Sequence, residues 1–106
     1  MRYTEFESPV AVGILPTGLG PVEVRILNLE TGALLGLSSN IANESTSMPG
    51  VWVFPLSAIT DPIMGFTQVV VEFILTGTGE KDYAKLILRG YVDEVRRTRV
   101  LVAATL

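Results

Sequence analysis

The chain has no histidine and no cysteine among its 106 residues. Without histidine it lacks the side chain that titrates near neutral pH and the commonest metal ligand. Without cysteine as well, Cys–His and Ser–His–Asp nucleophilic constellations are excluded, as are disulfides and thiolate zinc sites. Long apolar runs are missing too: Val69-Val70-Val71 is broken by Glu72, and nothing approaches the ~20 residues of a membrane-spanning helix. The opening Met1-Arg2-Tyr3-Thr4-Glu5-Phe6-Glu7 lacks the basic and apolar regions of a secretory leader, so an intracellular product is expected. Phosphate-loop chemistry is absent as well. Gly18-Leu19-Gly20 and Gly77-Thr78-Gly79 are followed by no Gly-Lys-Ser/Thr, and they read as turns.

Eleven carboxylates against eight Lys and Arg give a net charge of −3, which does not suit a nucleic-acid partner. The distribution is uneven. Arg89, Arg96, Arg97 and Arg99 face only Asp93 and Glu94 in the last 18 residues, and the rest of the chain is acidic. In a self-assembling protein this asymmetry steers neighbours together. The carboxylates Glu23, Glu30, Glu72, Asp82, Asp93 and Glu94 fall at strand ends or outward positions, where solvation explains them; no catalytic residue is assigned, and the chain is not expected to be an enzyme. Asn40, Asn43 and Glu44 offer oxygen ligands but lack the aspartate density of a calcium loop, so neither a metal nor a cofactor is expected.

What the chain does contain is β-type punctuation. Runs rich in Val, Ile, Leu, Thr and aromatics are separated by Gly, Pro, Asn and Asp. Val10, Val12 and Ile14 share one face of a first run. Val22, Val24 and Ile26 alternate with Glu23 and Arg25 in the next, and Asn28–Gly32 supplies a turn back into Ala33–Leu37. Val51-Trp52-Val53-Phe54 is a short strand stopped by Pro55, and the irregular 57–66 stretch has room for one turn of helix. Residues 67–75 place Val69, Val71, Phe73 and Leu75 on one side. With 82–92, where Ala84, Leu86 and Leu88 alternate, they predict a long hairpin closed at Gly77–Lys81. Residues 95–106 read as a last strand, with a helix over 93–99 as the alternative because Asp-Glu precedes Arg-Arg. The expectation is all-β: a single β-sandwich or jelly-roll-like domain over residues 1–106, with about seven or eight strands and extended termini. Trp52 and Phe54 read as core or as an aromatic platform for a carbohydrate or other ligand.

The segment Val22–Ile26, Thr31-Gly32, Ser38-Ser39, Glu44-Ser45 and Pro49-Gly50-Val51-Trp52-Val53-Phe54 resembles small β-sandwich proteins of tailed-bacteriophage virions. Gln68–Phe73 and Ala84–Leu86 are similar in layout. The resemblance implies a non-enzymatic virion structural protein made in the host cytoplasm. A capsid decoration (cement) subunit is expected, binding copies of itself and a larger protein such as the major capsid protein. A tail, baseplate or fibre component and a carbohydrate- or ligand-binding module are the alternatives. No catalytic, cofactor or metal site comes with it, and no direct nucleic-acid or membrane partner.

A mean hydropathy of +0.45 is high for so small a chain, which points to apolar surface used between chains. The expected interface residues lie at the two ends. Residues 1–9 read as an N-terminal arm carrying Tyr3 and Phe6 with Glu5 and Glu7, which meet Arg96, Arg97 and Arg99 of an adjacent copy and close a ring. Val100 and Val102 lie in the apolar C-terminal segment, which is expected to add a strand to its own sheet or a neighbour's.

Overall fold

The computed structural model describes residues 6, 7 and 9–106 and is an all-β sandwich. Its strands are β1 (Phe6–Glu7), β2 (Val10–Ile14), β3 (Val22–Asn28), β4 (Asn43–Glu44), β5 (Val51–Pro55), β6 (Gly65–Leu75), β7 (Lys81–Asp93) and β8 (Thr98–Thr105). A five-stranded sheet in the order β1-β8-β7-β6-β3 packs on a three-stranded sheet in the order β2-β5-β4. All pairings are antiparallel except β1 with β8.

The period-2 alternation of β6 decides the packing. Val69, Val71, Phe73 and Leu75 point inward and are fully buried, beside Val22, Val24 and Ile26 of β3 and Leu86, Leu88 and Leu101 of β7 and β8. The smaller sheet covers them with Ala11, Trp52 and Phe54, and Leu56 of the short 3-10 turn Leu56–Ala58 joins the same cluster. Each such side chain contributes roughly 1.5–3 kcal/mol by leaving water.

The predicted 67–75/82–92 hairpin is present, slightly longer than expected, with Phe73 opposite Asp82 and Thr67 opposite Leu88. Its turn closes on Leu75, whose carbonyl accepts the Gly79 N–H at 2.8 Å. Gly79 takes φ 81°, the left-handed conformation that costs glycine little.

One local expectation needs correction. Ala33–Leu37 is not a paired strand. The Asn28 turn forms, with its side-chain Oδ1 accepting the Glu30 N–H at 2.9 Å, but only Leu34 bridges back to Leu27. The chain then leaves β3, because Asp61 Oδ2 accepts the Gly36 N–H at 2.9 Å and Leu37 bridges to Ile59. It returns to β3 only at Ile41, opposite Glu23. The expected last strand forms as β8 (Thr98–Thr105), and the alternative helix over 93–99 does not. Asp93 Oδ1 accepts the Val95 and Arg96 N–H groups, Arg97 takes φ 54°, and the chain reverses into β8. A local side-chain turn wins over the helix dipole here.

Gly90 lies on the inward face of β7, where the loop carrying Ile63 crosses it. A Cβ there would fall 1.8 Å from the Ile63 carbonyl oxygen, so a larger residue must displace backbone. Gly90→Ala is expected to lower unfolding free energy by about 2–3 kcal/mol, at the upper end of overpacking costs. Gly79→Ala meets no atom within 4 Å and should cost only about 1–2 kcal/mol, from its positive φ. Denaturant unfolding of both variants checks the order; a Gly90→Ala loss no larger than that of Gly79→Ala would show that the loop yields freely.

Candidate interaction surfaces

The outer face of the five-stranded sheet is built from the outward residues of β3, β6, β7 and β8. Their register sets Arg25 beside Glu72, Leu27 beside Val70, Glu72 beside Tyr83, Val70 beside Lys85, and Phe66 beside Arg89. Arg25 donates from Nε and Nη2 to Glu72 Oε1 at 2.9 and 2.6 Å, and Lys81 Nζ lies 3.8 Å from Oε2. Arg25 and Glu72, with Leu27, Leu34, Val70 and Tyr83, line an open cavity of about 340 Å³. Burial pushes the Glu72 carboxyl up, but the Arg25 hydrogen bond and charge outweigh it together with Lys81 and Tyr83. The net effect holds it below the usual carboxylate range.

Further along the same face, the Arg89 guanidinium stacks on two rings, 4.7 Å from the Tyr91 centroid and 5.6 Å from that of Phe66. Phe66 is 70% exposed. Among the described residues no carboxylate pairs with Arg89. The face as a whole is mildly cationic: Arg25, Lys81, Lys85 and Arg89 outnumber Glu23, Glu72 and Asp93 on a chain that is acidic overall.

The smaller sheet offers a different surface. β2 reverses the usual pattern, burying Ala11 while Val10, Val12 and Ile14 face out. Gly13 is small for a reason, since a Cβ there would come within 2.5 Å of the Phe73 ring. β2 is an edge strand. Its hydrogen-bonded partners are fixed by Leu56 N–H to Pro9 and Leu15 N–H to Gly50, so residues 10, 12 and 14 turn their backbone groups to the open side. The Ile14 N–H is taken by Asp82 Oδ2 at 2.7 Å. Among the described residues no strand pairs with the open edge.

The residues expected at an interface divide as follows. Arg96 and Arg97 are exposed in the turn between β7 and β8, with Arg96 Nε donating to Asp93 Oδ2 at 2.8 Å. Arg99 is exposed at the start of β8, and Val102 is half-exposed on its outer face beside Arg89. Val100 is only 2% exposed, outside the main core cluster; it is spent within the chain rather than offered to another. The C-terminal segment adds its strand to its own sheet, between β7 and β1. The backbone of Phe6–Glu7 lies parallel to β8 opposite Arg99 and Val100 of the same chain; Tyr3 and Glu5 lie outside the described residues.

Trp52 is no platform. It is 7% exposed and its Nε1–H donates to the Leu15 carbonyl at 3.1 Å, a buried indole with its one donor satisfied. Glu44 is used structurally: hydrogen bonds from Thr17 and from the Gly50 N–H, the latter at 2.8 Å, hold its carboxyl below the usual range. Among the described residues no group of three or more acidic side chains could hold a metal ion. Sequence reasoning missed the Arg89 stack, whose cross-strand member Phe66 becomes its neighbour only through the hairpin register.

Because the folded-state value of Glu72 is depressed, its contribution to stability is complete above the unfolded carboxylate value near 4.3 and is lost as pH falls through the folded value. Arg25 is half-exposed, so the contribution is about 1 kcal/mol or less. Glu72→Gln should therefore be less stable than the native chain at neutral pH, with the gap closing in acid. Urea unfolding at a series of pH values checks this, and a gap independent of pH would remove the ion pair as its cause.

No known family model, curated protein or solved structure matches this chain.

Proposed function

We propose that the chain is a non-enzymatic structural subunit that works by binding other protein subunits, as a capsid decoration protein binds a virion's head lattice. The observation that carries this reading is the inverted strand β2. It sets Val10, Val12 and Ile14 outward on an open edge, beside the half-buried Val51 and Val53 of β5. Isolated edges are normally blunted by charge, proline or a bulge, because an apolar edge pairs with other chains. Here no charged side chain lies on the strand itself, and Asp82 occupies only its last N–H. A face of this kind is stable in water when another protein covers it. The virion setting is supported by the resemblance of the β3–β5 segment to such subunits. Burial of Trp52 removes the aromatic surface on which a carbohydrate-binding reading depended.

The test is binding to phage heads that lack a decoration subunit, with tails and immobilised polysaccharide as parallel arms. Heads should take up the native chain in a saturable, cosedimenting form. Val12→Lys places a charge on the exposed edge and should fold within about 0.5 kcal/mol of the native chain. Its occupancy on heads should fall by about tenfold or more. Uptake by tails alone would move the site within the virion, and uptake by neither particle would end the reading.

A further inference from the structure

An antiparallel sheet with its other face buried commonly turns polar residues outward. The five-stranded sheet departs from this. Leu27 of β3, Val70 of β6 and Ile87 of β7 point outward and are half-buried, and Phe66, Tyr83 and Val102 beside them are exposed. Leu34, bridged to Leu27, carries the same apolar ground past β3 and is exposed too. The cavity of about 340 Å³ opens in this ground, lined by Leu27, Leu34, Val70 and Tyr83 with the Arg25–Glu72 pair.

Two cations stand in this ground without a matching charge. Lys85 lies opposite Val70 and Arg89 opposite Phe66, both exposed on the outward side of β7. Glu72, on the adjoining stretch of β6, is taken by Arg25 at 2.6 Å and approached by Lys81 at 3.8 Å. Among the described residues neither Lys85 nor Arg89 forms an ion pair. The Arg89 guanidinium lies over the Phe66 and Tyr91 rings. Held so, it has little rotamer freedom left to lose, and its planar fork suits a carboxylate. The two cations are four residues apart on one strand, roughly 13 Å at about 3.3 Å per residue, with Ile87 between them.

We infer that this face takes an acidic, apolar segment of a partner protein: one apolar side chain fills the Leu27–Leu34–Val70–Tyr83 cavity, and carboxylates meet Lys85 and Arg89 on either side of Ile87. Complementarity of charge selects the occupant. A basic partner would meet two unpaired cations, and a second copy offering the same face would set Lys85 and Arg89 against cations like themselves. A polyphosphate suits the cations but brings no side chain for an apolar cavity, and the net charge of −3 opposes it. A segment whose carboxylates flank apolar residues satisfies both halves of the surface, the apolar part excluding water from around the charge pairs. The inference rests on the proposed role in binding protein subunits, adds the chemistry of what is bound, and uses a face other than β2.

The probe is an end-blocked peptide, Leu-Ser-Glu-Ser-Leu-Ser-Glu, which when extended sets leucine, glutamate, leucine and glutamate on one side. Titrated into the isotope-labelled full chain and followed by amide chemical shifts, it should give saturable changes at Phe66, Val70 and Tyr83–Arg89 that weaken with salt. Lys85→Glu and Arg89→Glu should each weaken binding about fivefold or more, since reversal turns an attraction into a repulsion. The double reversal should instead bind the same peptide with lysine in place of glutamate, which general disruption of the fold would not allow. Changes centred on β2, no changes on this face, or equal binding of the two peptides would overturn the inference. So would tighter binding of an oligothymidylate, which makes the face a polyphosphate site, or a dimer broken by Lys85→Glu, which makes the occupant a second copy. Val12→Lys should bind the glutamate peptide as the native chain does, so failure of the β2 reading and failure of this one are seen in different assays.

Discussion

The register of β6 against β7 is the constraint on which the remainder depends. Each strand alternates, so a slip of one residue would send Gln68, Val70 and Glu72 inward and expose Val69, Val71 and Phe73. Burying Glu72 without Arg25 and Lys81 would leave an uncompensated charge in the core, which is far costlier than exposing a valine. The carboxylate thus acts as a register pin: in the native pairing it sits half-buried on the outer face, satisfied by cations from β3 and β7. Gly90 adds a second pin, since only a residue without a side chain lets the Ile63 loop cross at that point of β7.

From this register follow two outer faces of different chemistry. The large sheet's face is mildly cationic and aromatic, with Arg25, Lys85 and Arg89 among Phe66, Tyr83 and Tyr91. The small sheet's face is neutral and aliphatic, with Val10, Val12, Ile14, Val51 and Val53. Contacts made through the first weaken as salt screens the charges, while those made through the second do not. The two faces therefore differ in how ionic strength acts on them.

Much of the sandwich was legible because alternation is a local signal. β3, β6 and β7 carry uninterrupted period-2 patterns, and their inward residues are those the pattern selects. Ala33–Leu37 has the composition of a strand, but its fate is decided by Asp61, 25 residues away from Gly36, and no local pattern reveals that. β8 misled in another way. Val100 and Leu101 are adjacent yet both buried, because the strand is covered on both faces at that point and a two-sided strand does not alternate. The candidate surfaces were less legible than the core. Alternation in β2 identifies Val10, Val12 and Ile14 as one face without saying which way it turns. The small size of Ala11 and Gly13 was the available signal, since small residues alternating with large ones mark a strand pressed against bulky core rings.

That inversion separates what folding requires from what it leaves open. The space beneath β2 is filled by the Phe73 ring, which leaves no room for a Cβ at position 13, so the inner face must be small whatever the chain does. Nothing in the sandwich imposes a comparable demand on the outer face. Threonine, glutamate or lysine at positions 10, 12 and 14 would satisfy the same backbone pairing with β5 and would blunt the edge against association. Three β-branched aliphatic residues hold those positions instead, on a strand whose packing contribution comes from its other side. Their exposure adds little to the core, so these side chains are the part of β2 that folding does not account for.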